Sequence, residues 1–286
     1  MRRDRFLSLL FAAALAGVAT AAAAADKPPV DAGPYVPSPT SVVSDMLKLA
    51  AVGPKDFVVD LGSGDGRIVL TAAKVFGARG FGVDINEKLV REANESARQQ
   101  GIADRARFVV QDLFKTDIRK ATVVTMYLLP NTVNMLKDKL FNELEPGTRI
   151  LSHDYPLSGW VPEDYKQFDL EDKRAISGVT TTLIYLYLVP AKVDGDWDGR
   201  LPAALSKEPV RLQLRQQLTR LTGAARLGGR DVLLEDGRLR GERVSFRLLV
   251  NGEPYSFSGV AKGRDLGGTV DGVGLKGAAW TATLAK

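Results

Sequence analysis

The stretch Val59-Asp60-Leu61-Gly62-Ser63-Gly64-Asp65-Gly66 constrains the fold of this chain more than any other feature. An apolar run from Asp56 to Leu61 leads into it, and a helical pattern from Arg67 to Phe76 follows. Strand, glycine-rich turn and helix in that order make the nucleotide-binding unit of an α/β sheet. Glycine spacing then narrows the ligand. A turn that cradles pyrophosphate reads G-x-G-x-x-G, its third glycine allowing the helix to pack closely. Here the glycines fall at 62, 64 and 66. So tight a turn suits a ligand with a carboxylate and a ribose but no pyrophosphate, a description that fits S-adenosyl-L-methionine. Backbone N–H groups at the start of the following helix add attraction for an anionic group.

The segments around the loop fall into register with it. Ser41 reads as the cap of a helix whose apolar face is Val42, Val43, Met46, Leu47, Leu49 and Ala50. Gly80 to Val83 reads as a strand ending at Asp84, about 20 residues past the loop, where a carboxylate accepts both ribose hydroxyls. The same residue also suits the start of the next helix, ahead of Asn86-Glu87. A helix over Leu89 to Gln100 and a strand over Arg107 to Gln111 follow. They bring Asp112 to the adenine amino group and Leu113 to its ring. Thr122 to Leu128 is a fourth strand halted by Pro130, then a helix runs from Asn131 to Leu144. After the turn at Glu145-Pro146-Gly147, Thr148 to Ser152 is a fifth strand running on into His153-Asp154-Tyr155. Gln167 to Leu170 and Thr180 to Leu188 close the unit as an antiparallel pair. The pattern predicts a Rossmann-like α/β fold with a seven-stranded sheet, its ligands at the carboxyl ends of the strands.

Composition removes several alternatives. The chain has no cysteine, so disulfides, thiolate catalysis and Cys-ligated zinc are excluded. One histidine, His153, leaves little room for a histidine metal site or a serine triad, and no metal is expected. The formal charge is +5, and near +3 once the basic start is set aside. No basic helix interleaved with aromatics accompanies it, nor any Asn/Asp-Pro-Pro-Tyr motif, so no nucleic-acid partner is expected.

Residues 1–25 read as a signal peptide. Arg2, Arg3 and Arg5 precede an apolar core from Phe6 to Val18, and Ala23-Ala24-Ala25 fits a cleavage site ahead of Asp26. An uncleaved membrane anchor is the alternative. After cleavage no stable membrane insertion is expected. Either reading places the folded chain outside the cytoplasm, in the periplasm or secreted, whereas S-adenosyl-L-methionine is made inside.

Pro34-Tyr35-Val36-Pro37, the loop from Asp60 to Arg67, Tyr127-Leu128-Leu129-Pro130 and Pro146-Gly147-Thr148-Arg149, with Ser152-His153-Asp154, resemble a group of class I methyltransferases. That group includes mitochondrial protein-lysine N-methyltransferases acting on the adenine nucleotide translocase and on the membrane-ring protein of ATP synthase. It is distantly similar to the non-SET histone-lysine methyltransferases. The resemblance covers roughly residues 33 to 160. It implies S-adenosyl-L-methionine as cofactor and a protein substrate carrying the acceptor lysine. The expected cofactor contacts are Tyr35, Asp60, Gly62, Gly64, Asp65, Gly66, Asp84, Ile85, Asp112 and Leu113. Tyr127 and Asp154, after the fourth and fifth strands, are the candidate catalytic residues on the substrate side. A small-molecule acceptor, or a binding protein that keeps the fold without catalysis, are the competing expectations.

Beyond Pro190 the character of the chain changes. About half of its 28 glycines lie there, and short alternating stretches recur at Val210, Val244, Tyr255 and Trp280. Glu235-Asp236-Gly237, Asn251-Gly252-Glu253 and Gly267-Gly268 read as the turns between them. Residues 26–190 are therefore expected to form the methyltransferase unit and 191–286 a small antiparallel β-barrel resembling lipocalin-like domains. A truncated chain ending at Val193 is expected to fold without the barrel. The barrel is expected to be a packed module rather than a ligand cup.

Overall fold

The computed structural model describes residues 35–171, 173–174 and 178–286. The proposed leader over 1–25 and Pro34 of the Pro34-Tyr35-Val36-Pro37 segment lie outside the described residues. The described helices and strands begin with α1 (Thr40–Leu49), β1 (Phe57–Leu61), α2 (Arg67–Val75), β2 (Arg79–Asp84), α3 (Glu87–Gln99) and β3 (Ala106–Val110). They continue with β4 (Val123–Met126), α4 (Pro130–Met135), α5 (Lys137–Glu143), β5 (Arg149–His153), β6 (Asp164–Asp169) and β7 (Thr181–Leu188).

These strands form one seven-stranded sheet in the order β3-β2-β1-β4-β5-β7-β6, parallel but for β7. Parallel strands buried on both faces carry apolar side chains in runs. Val58 of β1 packs with α1, α2 and α3, while Val59 and Leu61 turn to the other face, with Val133, Leu136 and Leu140. The chain reverses direction of winding between β1 and β4, the crevice where ligands of such sheets sit.

Local details depart from the sequence reading for identifiable reasons. Ser41 is not the cap of α1: the helix begins at Thr40 behind Pro39, and no side chain caps it. Pro130 does not merely halt β4; it occupies the first turn of α4, where its missing N–H costs nothing. The single helix expected over Asn131–Leu144 is two, α4 and α5, joined at Leu136.

The remaining strands are β8 (Gly195–Arg200), β9 (Val210–Gln217), β10 (Arg220–Leu227), β11 (Arg230–Arg240), β12 (Arg243–Val250), β13 (Glu253–Lys262), β14 (Asp265–Gly272) and β15 (Leu275–Leu284). They close into an eight-stranded antiparallel barrel. Its interior is filled. Phe246 stacks on Phe257 with ring centroids 4.8 Å apart, and Trp280 meets both edge-on. A barrel of eight strands is just wide enough for such filling.

Two of the three expected turns in this region are strand interior. Glu235-Asp236-Gly237 lies within β11 at a bulge, and Gly267-Gly268 lies within β14. Glycine serves close approach there rather than reversal. A Cβ on Gly268 would sit 2.0 Å from the Ser258 carbonyl, and one on Gly259 would sit 2.9 Å from Trp280. The third turn, at Asn251-Gly252, is a hairpin in which both residues have positive φ.

The barrel docks at the amino ends of the parallel strands. Leu188, the end of β7, pairs with Arg149, the start of β5, so the chain leaves the sheet there. Ala191 donates to the Gly241 carbonyl, Glu163 pairs with Arg240, and Leu218 packs into the core beneath α4 and α5. The carboxyl ends of the strands are left clear. Among the described residues no helix is long and apolar enough to cross a membrane.

Candidate functional site

β1 ends where its chain must turn sharply beneath the tip of β2. Gly62, Gly64 and Gly66 all take left-handed φ, at +79°, +53° and +80°. The turn is held by the Val83 carbonyl, which accepts from both Gly62 and Ser63. Space is as restrictive as φ. A Cβ on Gly64 would lie 2.3 Å from the Tyr35 ring, and one on Gly66 would lie 2.5 Å from Phe108. Gly66 also opens α2, and the Asp65 carboxylate accepts from the Arg67 amide beside it.

Around this turn lies a pocket of 380 Å³. Of the residues expected to contact the cofactor, Tyr35, Asp60, Gly62, Asp65, Asp84, Ile85, Asp112 and Leu113 line it. Gly64 and Gly66 shape the loop behind its wall. Asp84 spans the gap between two tips: one carboxylate oxygen accepts from Gly64 at 2.9 Å, the other from Asn86 at 2.9 Å. The helix cap ahead of α3 is Asn86 itself. Asp112 accepts from Phe114, which turns Leu113 into the pocket wall.

Asp60 is the most perturbed acid in the site. Burial pushes its pKa up to about 7, Asp84 and Asp65 push the same way, and a 2.7 Å hydrogen bond from Thr125 opposes them. Asp65 stays below the usual carboxylate range despite its burial, because Arg67 donates to it from guanidinium and backbone.

Four aspartates and one arginine, itself spent on Asp65, leave the pocket negative. Ser63 Oγ is buried with no hydrogen-bond partner among the described residues. A ligand carrying a cation, hydroxyls and a flat apolar ring matches this lining. S-adenosyl-L-methionine has all three, so the residues present fit the cofactor.

The segment before α1 crosses the glycine loop as a strap. Arg67 donates to the Ser38 carbonyl at 2.7 Å, and Ser38 Oγ lies 2.9 Å from His153 Nδ1. Arg67 and Ser38 were not singled out from the sequence. The ion pair Asp65-x-Arg67 was there to be read, but the role of Ser38 depends on β5, 115 residues away. His153 is 1% exposed, and burial lowers its pKa to about 4, so it is neutral. This agrees with a structural role.

The candidate catalytic pair is divided between wall and support. Tyr127 lines the pocket, and its ring lies against that of His153, 3.9 Å between centroids with the planes tilted by 34°. Burial, then the nearby Asp154 carboxylate, hold the Tyr127 phenol well above its ordinary pKa. Asp154 is not among the pocket-lining residues. It sits beside Tyr127 in the left-handed region, at φ +63°, close enough for its charge to act on the phenol. Lys173 Nζ at 2.7 Å and the Leu183 amide at 3.1 Å hold that carboxylate in place. No cluster of metal-ligating side chains occurs among the described residues.

Comparison with known proteins places this geometry. Residues 60–164 match the family model of the ANTKMT methyltransferase domain. A protein-lysine N-methyltransferase of Saccharolobus islandicus is 45% identical over 157 residues, which are 54% of this chain and 93% of that protein. The adenine nucleotide translocase lysine N-methyltransferase of Mus musculus is 36% identical over 45% of this chain, which spans 56% of that relative's length. A solved structure from Salinibacter ruber, described as an RNA methyltransferase in complex with S-adenosyl-L-homocysteine, is 44% identical. It covers 55% of this chain and 96% of its own, with a TM-score of 0.49. With nearly all of the archaeal relative matched at 45% identity, this chain belongs to the protein-lysine N-methyltransferase family and is an S-adenosyl-L-methionine-dependent methyltransferase.

Proposed function

We propose that this chain methylates the side-chain amine of a protein lysine, with Tyr127 orienting the acceptor and Asp154 positioning Tyr127. One observation carries the reading. Tyr127 lines the pocket, and burial together with the nearby Asp154 carboxylate keeps it a neutral phenol, whose oxygen retains lone pairs. Such an oxygen accepts an N–H from a neutral amine and aims the amine's own lone pair along the line of attack. The cofactor, when bound, supplies a methyl group on a positively charged sulfur. As the N–C bond forms and the C–S bond breaks, the sulfur keeps the electron pair. Positioning supplies most of the acceleration in such a displacement.

A lysine must first give up a proton against a free pKa of about 10.4. The attacking nitrogen needs its lone pair, so the proton leaves to solvent before the methyl is transferred. Tyr35, Asp60, Asp65, Asp84, Ile85, Asp112 and Leu113 hold the cofactor in this reading, on the glycine loop. The names of the archaeal and vertebrate relatives support lysine as the acceptor class. Incubating the purified chain with cofactor and a lysate of its own cells, then mapping methyl-lysine by mass spectrometry, tests the reading. New methylation only on non-protein amines would replace the acceptor, and no transfer at all would leave a binding protein.

Export belongs to the same proposal. The basic start, apolar core and Ala23-Ala24-Ala25 support a mature chain beginning at Asp26 outside the cytoplasm. Fractionation with N-terminal sequencing tests it, and an intact Met1 in the cytoplasmic fraction would overturn it. Division into 26–190 and 191–286 is supported by the sheet's last strand ending at Leu188 and the barrel's first beginning at Gly195.

A further inference from the structure

Charge is segregated along this chain. Residues 191–286 carry 16 Lys and Arg against 11 Asp and Glu, whereas 26–190 carry 20 against 22. Four of the barrel's arginines gather where it meets the sheet. Arg220 of β10 stands directly opposite Arg238 of β11, and Arg240 directly opposite Arg243 of β12. Like charges facing across an antiparallel pair repel, and two such pairs in adjacent rows compound the repulsion. Of these four arginines, among the described residues only Arg240 has an acidic partner, Glu163. Asp236, which lines the same groove, pairs with Arg247 at 2.6 Å.

Strand irregularity marks the same place. The β10–β11 ladder shifts register between Leu221 and Ala224, and the β11–β12 ladder between Glu235 and Arg238. Bulges of this kind re-aim side chains and gather beside sites. Here they border a groove of 490 Å³ between barrel and sheet, lined by Arg220, Arg238 and Arg240 and by two acids, Glu163 and Asp236, each already paired with an arginine.

We propose that this groove binds an oxyanion of the phosphate class, held between the Arg220 and Arg238 guanidiniums. Each planar fork offers two parallel N–H donors, and a tetrahedral dianion has enough oxygens for both. A bound dianion turns the Arg–Arg repulsion into attraction. The groove lies at the amino ends of the sheet, away from the cofactor pocket, so it works without regard to the methyl acceptor. Free phosphate compounds and a phospholipid headgroup share this chemistry.

Isothermal titration of the full chain with inorganic pyrophosphate at low ionic strength tests the site. One equivalent is expected to bind equally well with or without saturating S-adenosyl-L-homocysteine, and at least tenfold more weakly to R220Q/R238Q. Without anion, R220Q is expected to melt roughly 1–3 °C above the parent, because a repulsion has gone. Cosedimentation with phosphatidylglycerol vesicles but not phosphatidylcholine ones, reversed by pyrophosphate, assigns the anion to a lipid headgroup. Pyrophosphate binding without cosedimentation assigns it to a soluble phosphate compound. Absence of both, or affinity unchanged in R220Q/R238Q, overturns the proposal. If the double variant fails to fold, R238K decides: it keeps the charge but loses the fork, and parental affinity in it overturns the proposal equally.

Discussion

The Asp84 carboxylate, at the tip of β2, accepts the backbone N–H of Gly64 at 2.9 Å and so ties the glycine turn to the neighbouring strand. One acid therefore shapes the loop and also faces the pocket where a ribose would lie. Asp84→Ala is expected to weaken cofactor binding by about 2 kcal/mol, through lost charge-assisted hydrogen bonds. Asp84→Asn keeps an acceptor and should lose less. Calorimetry on the two variants separates the effects, and equal affinity in the parent and the Ala variant would remove Asp84 from the site.

Asp60 makes binding depend on pH. With its pKa raised to about 7 by burial, Asp60 is partly protonated at neutral pH in the unliganded chain. A cationic cofactor prefers the carboxylate, so binding at pH 7 releases that proton. Affinity falls as pH drops through 7 and levels off above it. Titrations in buffers of different ionisation enthalpy measure the release, which Asp60→Asn is expected to abolish.

The two deeper glycines of the turn should fail differently. Gly64→Ala places a methyl 2.3 Å from the Tyr35 ring, so it displaces the strap and is expected to reduce cofactor affinity first. Gly66→Ala drives a methyl between Phe108 and Ala93, inside the core, and is expected to destabilise by about 1–3 kcal/mol. Thermal melts and binding measured on both variants show the contrast. A Gly66→Ala chain as stable as the parent would contradict the packing argument.

Tyr127→Phe leaves the ring against His153 and removes the phenol oxygen proposed to orient the acceptor. Turnover is expected to fall by about 10–100-fold, the scale of one oriented hydrogen bond, with little change in cofactor affinity. Asp154→Asn should give a smaller loss, because Tyr127 then loses orientation rather than its oxygen. If cofactor affinity falls as much as turnover, Tyr127 is a pocket wall and not an orienting group.

His153 contributes an acid-side dependence of stability. Its native pKa of about 4 lies below the ordinary 6.5, so over that interval the unfolded chain binds the extra proton. Its share of stability is complete above pH 6.5 and is lost progressively as pH falls toward 4. His153→Asn is expected to flatten that part of the profile in denaturant melts at stepped pH.

What the sequence alone determined is local or periodic. The glycine loop was legible because left-handed turns and close approaches leave few residues to choose from, and spacing along the chain encodes them directly. The succession of seven strands along the chain followed from alternating apolar runs, and the places of Asp84 and Asp112 from the strand ends; the sheet order β3-β2-β1-β4-β5-β7-β6 did not. The barrel was legible as alternation, yet Gly267-Gly268 and Glu235-Asp236-Gly237 misread as turns. A glycine needed for a neighbouring strand's carbonyl looks, in one dimension, like a glycine needed for reversal.

Tertiary structure decided everything that joins distant segments: Ser38 reaching His153, Asp154 set beside Tyr127, and the barrel seated at the amino ends of the sheet. Those arrangements depend on which faces meet once the core has closed. Packing free energy sets that outcome, and no short-range pattern in the chain records it.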